Sequence, residues 1–365
     1  MKKVTIIGAG LSGLTIARIL TDNDFEVEVF EQKEEIGGAI IDKIIDNKLV
    51  HIYGPHIFHT SNEEVWNFIN KYEKFKLFNY YAKVNVDNIE YDFPINAKSV
   101  EKISNHLKLD TKAILKKLST YDRIITLKQL FELNNDLGKW IWENNFVNYS
   151  SKMWDLPIDK IDNSIIERIK MLSTNEKNYF PLEKNVAIPT IGYFNFIKNL
   201  AKDIKINTNV NINNKVLELS NNNIVVFTGS VDELFNYKFG QLQYRSLKFD
   251  IVKEDWSFDV GCVNLPQHPN YTRKSNFNYF YNFQQTNEYV CYETPCYYNG
   301  TNLRLYPISS NTSNAEIYTK YKSELGKYQN IFLAGRAGTY KYLDMDKIIA
   351  QAFEIANEII NKYKM

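Results

Sequence analysis

Lys3-Val4-Thr5-Ile6-Ile7-Gly8-Ala9-Gly10-Leu11-Ser12-Gly13, followed by apolar positions at Leu14, Ala17 and Leu20, decides the fold. The run KVTII fits a buried parallel strand, and it breaks into G-x-G-x-x-G at the mouth of a helix. A second apolar strand, Val27 to Phe30, ends at Glu31. Strand, glycine turn, helix, strand and acid within about thirty residues form the unit that holds a dinucleotide. Gly8 permits the tight turn, Gly10 lets a pyrophosphate approach the backbone, and Gly13 lets helix and strand pack closely. The helix start offers unpaired N–H groups and a positive dipole end to the phosphates. Glu31 is placed to accept hydrogen bonds from ribose hydroxyls, and an acid there disfavours a 2′-phosphate.

Past Glu31, five residues lead to Gly37-Gly38. An acid, five residues and Gly-Gly resemble the extended nucleotide motif of FAD proteins of the glutathione-reductase type, which NAD-binding Rossmann domains usually lack. FAD is therefore the expected cofactor.

At 365 residues the chain is long enough for two or three domains. A net charge of +1 provides no global field for nucleic acid or a membrane surface. The three cysteines, Cys262, Cys291 and Cys296, are too few and irregular for a disulfide scaffold or a zinc site, and read as free thiols. No signal-peptide pattern and no run of eighteen apolar residues is present, so the expected location is the cytoplasm. The 25 Tyr and 22 Phe suit a site that stacks rings and sugars.

Taken in order, Ile40 to His51 is β-like and leads into Gly54-Pro55-His56-Ile57-Phe58-His59-Thr60. His56 and His59 are candidates for metal ligands, ring contacts to a cofactor or turn residues. Metal is disfavoured because no third ligand cluster lies nearby. Ser61 to Tyr72 reads as a helix capped by Ser61 or Asn62. Phe78 to Phe93 alternates as a hairpin turning at Asp87-Asn88. Val100 to Asn148 is helical without strand content, and Asn163 to Met171 continues as a helix. A helix is expected over Tyr193 to Ala201. Two short strands follow in IKINTNV and KVLEL, then another at Ile224 to Phe227, as a meander returning to the FAD domain. Thr228-Gly229 ends that strand, where backbone meets the cofactor again. Residues 235–308, including FNYFYNF, read as an antiparallel sheet without helix. Ala315 to Leu325 is helical. Ile331 to Leu333 is a final strand before Ala334-Gly335-Arg336, and a last helix runs from Met345 to Lys362.

The fold class is thus α/β, with a discontinuous FAD-binding Rossmann-like domain over 1–75, 190–235 and 310–365. A helical insertion domain over 99–150 carries part of a substrate loop. An antiparallel β-sheet domain covers 76–98, 151–189 and 236–309.

GPHIFHT, FPIN, FxYKFGxLxYRSLKF, YTR and GRAGTYKYLDMD resemble, in order and spacing, the motifs of bacterial UDP-galactopyranose mutases. The resemblance covers essentially the whole chain. It implies an isomerase with three such regions that interconverts pyranose and furanose forms of a nucleotide-activated sugar for surface polysaccharide synthesis. It implies that the flavin works reduced and without net redox, taking the anomeric carbon while the nucleoside diphosphate leaves. It further implies that Arg273 holds the diphosphate and that Arg245 and Arg336 stand close to substrate and flavin. Tyr306 and Tyr342 would hydrogen-bond the phosphates, Asp344 would lie near both partners, and His56 and His59 would line the flavin. Tyr149 and Trp154 match the aromatic pair opening the family's mobile substrate loop. Asn96 and Tyr179 complete the expected substrate contacts. Gly8, Gly10, Leu11, Ser12, Gly13, Glu31, Gly38, Thr228, Gly229, Gly335 and Met345 join the cofactor set. The expected assembly is a homodimer.

Departures concentrate in the nucleotide-sugar half. The family's K-Q-W-G is Lys152-Met153-Trp154-Asp155 here, and in register Leu172 stands where the family has its second diphosphate arginine. Arg168 or Lys170 could take that charge's place. Glu183-Lys184-Asn185 replaces a tyrosine before Ile188-Pro189, and Ser275 to Tyr279 replaces H-K-H-F. UDP-galactose is the family default, and the changed loop admits a 6-deoxyhexose, another sugar or another nucleotide. Two competing readings are an FAD amine oxidase or desaturase-like oxidoreductase, and a catalytically altered flavoprotein that binds a nucleotide sugar.

Overall fold

The computed structural model of the chain describes residues 2–161, 170–281, 288–309 and 312–363. Its organising element is a parallel sheet in the order β12 (Lys205–Asn207), β2 (Glu26–Phe30), β1 (Lys3–Ile7), β13 (Ile224–Phe227) and β19 (Ile331–Leu333). β1 and β13 are central, so Val4, Ile6 and all of Ile224–Phe227 are buried, as a sheet covered on both faces requires. On one face, α1 (Leu11–Thr21) and the helix Met345–Tyr363 share a core. Its small residues Ala17, Ala352 and Ala356 allow a close approach. On the other face Phe227, Val231 and Tyr321 pack together.

The chain leaves this sheet twice. The first excursion carries a hairpin of β3 (Asp42–Ile45) and β4 (Lys48–His51). It continues through β5 (Phe58–Thr60), α2 (Glu63–Tyr72), β6 (Phe75–Leu77), β7 (Ala82–Val86) and β8 (Ile89–Phe93). Asn62 caps α2, its side chain accepting from the N–H groups of Glu64 and Val65. Asp87 and Asn88 both have positive φ, as a two-residue hairpin turn demands. Then come α3 (Ala97–His106), α4 (Thr111–Leu118), β9 (Ile124–Ile125), α5 (Leu127–Leu133) and α6 (Asn135–Ile141). A six-residue π-helix, Trp142–Val147, follows, and α7 (Asn148–Trp154) stops at Asp155 in the left-handed region. β10 (Met171–Leu172) pairs with β9, and β11 (Asn185–Pro189) lies between β5 and β6.

The second excursion supplies most of a seven-stranded sheet. Its order is β18 (Tyr306–Pro307), β14 (Tyr244–Glu254), β17 (Glu288–Tyr297), β16 (Arg273–Asn276), β15 (Cys262–Asn264), β7 and β8. Every pairing is antiparallel except β15 with β7.

Four local expectations give way to packing. Phe277–Tyr281, expected as strand, is a helix: Phe277 and Phe280 are buried at helical spacing, and the Asn276 side chain accepts from the N–H groups of Asn278 and Tyr279. Val216–Leu219 of KVLEL is also helical, with Val216 buried in the core beside β13. β12 and β13 run parallel and sit at separate places in one sheet, so they form no meander. The helical insertion does contain strand, because β9 pairs with β10, and Met171 lies in that strand. The rest of the helix expected over 163–171 falls mainly outside the described residues, as does Arg168.

Candidate active site

At the dinucleotide end the polar groups belong to the backbone. Gly8 has φ +102°, and a Cβ added there would stand 2.0 Å from Thr228 Oγ1; one added to Gly13 would stand 2.0 Å from the Gly8 carbonyl oxygen. Neither can be anything but glycine. A Cβ on Gly10, by contrast, meets only the Cα of Gly38, at 3.9 Å, so this cradle has room for a ligand. α1 starts without a side-chain cap, leaving its first amides unpaired, and the buried Oγ of Ser12 has no partner among the described residues. Unpaired donors around an open glycine cradle fit a pyrophosphate. The buried Glu31 carboxylate accepts from Ala9 N–H at 2.8 Å and Lys33 N–H at 2.9 Å, which fixes it at the strand end with lone pairs to spare. Thr228 donates to the Ile7 carbonyl at 2.8 Å. Gly335, at φ +74°, faces Ser12, while Gly229 packs against the Phe227 ring. The Leu11 side chain belongs to the core, so only its amide is available to phosphate.

A cavity of about 700 Å³ opens beyond this cradle. His56, His59, Tyr149, Trp154, Tyr179, Arg273, Tyr306, Arg336, Tyr342, Asp344 and Met345 line it. Gly54, at φ +78°, turns the backbone so that its carbonyl accepts from His56 Nδ1 at 2.8 Å. Nδ1 therefore carries the proton and Nε2 is left as an acceptor. Burial, together with the charges of Arg336 and Arg273, lowers the His56 pKa to about 4, so the ring is neutral near pH 7. His51, which the sequence reading passed over, props this loop: its Nδ1 accepts the His56 N–H at 3.0 Å and its Nε2 meets Tyr281 at 2.8 Å. His59 stacks on Phe180 at 3.7 Å, with Glu183 3.4 Å from Nδ1 and Asp344 3.9 Å from Nε2.

Arg273 on β16, another residue of the cavity lining, lies in register with Glu293 on β17. Its Nε donates to the buried Glu293 carboxylate at 2.7 Å. Burial opposes the guanidinium charge, but Glu293 outweighs it and holds the arginine firmly cationic. Its Nη groups make no hydrogen bond among the described residues, and the side chain lines the cavity. Tyr306 stacks on Tyr342 at 5.5 Å, Trp154 meets Tyr306 edge-on, and Arg336 lies 4.6 Å over the Tyr342 ring. Arg336 is oriented by the carbonyls of Leu343 and Leu305. Burial pushes the phenols of Tyr149 and Tyr306 well above their ordinary range, so both are neutral donors at neutral pH.

Three expected residues stand elsewhere. Asn96 is fully buried as the cap of α3, accepting from Ser99 N–H and donating to the Glu176 carbonyl, so it contributes no cavity wall. Arg245 is buried beneath α7, donating to the Met153 and Lys152 carbonyls and stacking 4.3 Å over Tyr297; it positions the helix end instead of facing a ligand. Leu172 is fully buried, its N–H bound to the Ile95 carbonyl, and among the described residues of this stretch Lys170 is the cation that lines the cavity. The sequence reading also passed over Glu293, Tyr80, Asn145, Phe146, Phe180 and Asn264. Only the cross-strand register reveals Glu293, whereas the π-helix aims Asn145 and Phe146 at the cavity.

A family profile described as UDP-galactopyranose mutase matches residues 144–342, and one described as NAD(P)-binding Rossmann-like domain matches residues 6–72. The chain is 33% identical to the UDP-galactopyranose mutase of Mycoplasma genitalium, over 98% of this chain and 95% of that protein. It is 33% identical to the dTDP-fucopyranose mutase of Escherichia coli over the full length of both. A crystal structure of reduced UDP-galactopyranose mutase superimposes with a TM-score of 0.67 at 14% identity, covering 100% of this chain and 97% of that one.

Proposed function

The chain belongs to the UDP-galactopyranose mutase family, and from that premise we propose that it interconverts the pyranose and furanose forms of a nucleoside-diphosphate hexose on reduced FAD. The observation that carries this reading is the placement of Arg273. It is fixed by Glu293, and its side chain lines a cavity that His56, Arg336 and Asp344 also line. FAD fits the open cradle at Gly10 and Gly38, the unpaired α1 amides, Ser12 Oγ and Glu31. When bound, it supplies an electron-rich nitrogen that can take and return the anomeric carbon.

The protein's own residues then place and neutralise. Arg273 accepts the diphosphate as its charge develops, a contact that strengthens as the sugar bond breaks. The neutral phenols of Tyr306 and Tyr149 can donate without adding charge. His56 offers a lone pair at Nε2, and Arg336 holds the wall at Tyr342 in place. Asp344 and His59 close the side next to Phe180. Asn96, Arg245 and Leu172 have no contact role in this reading.

The family default is UDP-galactose, and full-length similarity to a dTDP-fucopyranose mutase puts 6-deoxyhexoses beside it. The three-region division given above, a homodimer and a cytoplasmic role in surface polysaccharide synthesis complete the proposal. The test is NMR of purified enzyme with UDP-galactopyranose and dTDP-fucopyranose, oxidised and after dithionite. Furanose should form only on reduction, without reductant consumed per turnover. Equal activity in both states, or stoichiometric consumption of reductant, would favour an oxidoreductase.

A further inference from the structure

Lys152 lies on α7 between Tyr149 and Trp154, yet its side chain leaves the cavity wall. Its ammonium sits among four backbone carbonyls of the β15–β16 loop: Leu265 at 2.9 Å, Pro266 at 3.0 Å, His268 at 2.5 Å and Tyr271 at 2.9 Å. Among the described residues no carboxylate pairs with it, so the charge is met by dipoles alone. Three N–H donors serve four acceptors, so at least one hydrogen is shared between two carbonyls.

The two segments joined here both contribute to the cavity lining. α7 presents Tyr149, Met153 and Trp154, and the last carbonyl of the cage, that of Tyr271, lies two residues before Arg273. Gln267 ties the same loop to Asp87 and to Asn144 of the π-helix. Arg245 adds a second clamp from β14, on the carbonyls of Lys152 and Met153. We propose that Lys152 is a positioning residue, a carbonyl-caged latch that sets the span between the α7 aromatic wall and Arg273 before a nucleoside diphosphate arrives. This rests on the mutase reading only in naming that ligand.

Burial lowers the Lys152 pKa to about 8, so the latch is cationic at pH 7 and loses its charge as pH rises past 8. The titratable and charged groups around it are His268 and Tyr271, whose carbonyls join the cage, and Arg245, on its own carbonyl. His268 is held below the ordinary histidine range by burial and by the Lys152 charge, so it is neutral throughout this window.

The experiment uses flavin-loaded protein. Lys152→Met should keep its flavin while UDP and dTDP bind roughly tenfold more weakly, the scale of losing hydrogen bonds to a charged donor. Amide exchange over 148–154 and 265–272 should rise in the variant, and in the wild type between pH 7 and 9 it should rise there by more than the base-catalysed increase common to all amides. In Lys152→Ala, methylammonium should restore binding and tetramethylammonium, which has no N–H, should not. Binding and exchange like the wild type's would overturn the latch, as would weakened binding that methylammonium leaves unchanged. A wild type that binds neither nucleotide, with exchange still raised in the variant, would overturn the mutase reading and leave the latch standing.

Discussion

The dinucleotide end of the site is shaped mainly by glycine backbone, whereas the sugar end is made mainly of side chains. At Gly8 and Gly13 the constraint is steric and absolute, because a Cβ would stand 2.0 Å from its neighbour. At Arg273 the constraint is a charged hydrogen bond to the buried Glu293 carboxylate, so an exchange meets no steric clash but leaves that charge unpaired. The first kind of site tolerates almost no substitution and keeps its ligand class. The second can be retuned one residue at a time, and it is where this chain departs from its family's pattern.

Three experiments press on that contrast, the largest effect first. Gly10→Val should abolish flavin binding, because its branched side chain would fill the space left open for the pyrophosphate. Protein purified with the wild type's absorbance near 450 nm, roughly the flavin band, would show that the cofactor is held elsewhere. Arg273→Ala should leave flavin untouched and lower turnover roughly a hundredfold or more. A charged contact strengthening in the transition state is worth about 2–4 kcal/mol. Wild-type turnover in that variant would move the diphosphate to another part of the cavity.

Leu172→Arg should change the site least. The side chain is fully buried, so a guanidinium there meets no diphosphate and leaves an unpaired charge, destabilising by about 3 kcal/mol or more. The melting temperature should fall, and activity of the surviving folded fraction on UDP-galactose should not rise. A rise would return Leu172 to the substrate's path and undo the assignment of that wall to Lys170.

The same contrast explains what was legible in the sequence. A glycine required by geometry leaves a mark at a fixed spacing, so the Gly8-x-Gly10-x-x-Gly13 turn and Glu31 stood out from the residues themselves, and Gly37-Gly38 through its likeness to the FAD motif. A side chain's direction leaves no such mark. Arg245 sits two residues from Leu247, which does line the cavity, yet its guanidinium is spent on the end of α7. Asn96 did carry a local sign, since Asn-x-x-Ser before a helix is a capping pattern, and the structure uses it so. Glu293 lies twenty residues from Arg273, and only strand register makes them neighbours. The FNYFYNF segment misled because phenylalanines at helical spacing can also pass for an aromatic strand.

The helix Met345–Tyr363 packs on α1, and β13 and β19 complete one side of the sheet that β1 begins. During synthesis, therefore, the first strand–turn–helix emerges from the ribosome more than three hundred residues before its covering helix. Residues up to Leu200 supply part of its apolar cover earlier, but that helix completes the core last, and the cofactor cradle gains Gly335 only ten residues before it. Contacts of such long sequence separation form slowly and leave incomplete cores open to chaperones and proteases. Flavin capture thus becomes a late event in the life of each molecule, and a chain released short of its final helix would be degraded instead of becoming a coloured, inactive fragment.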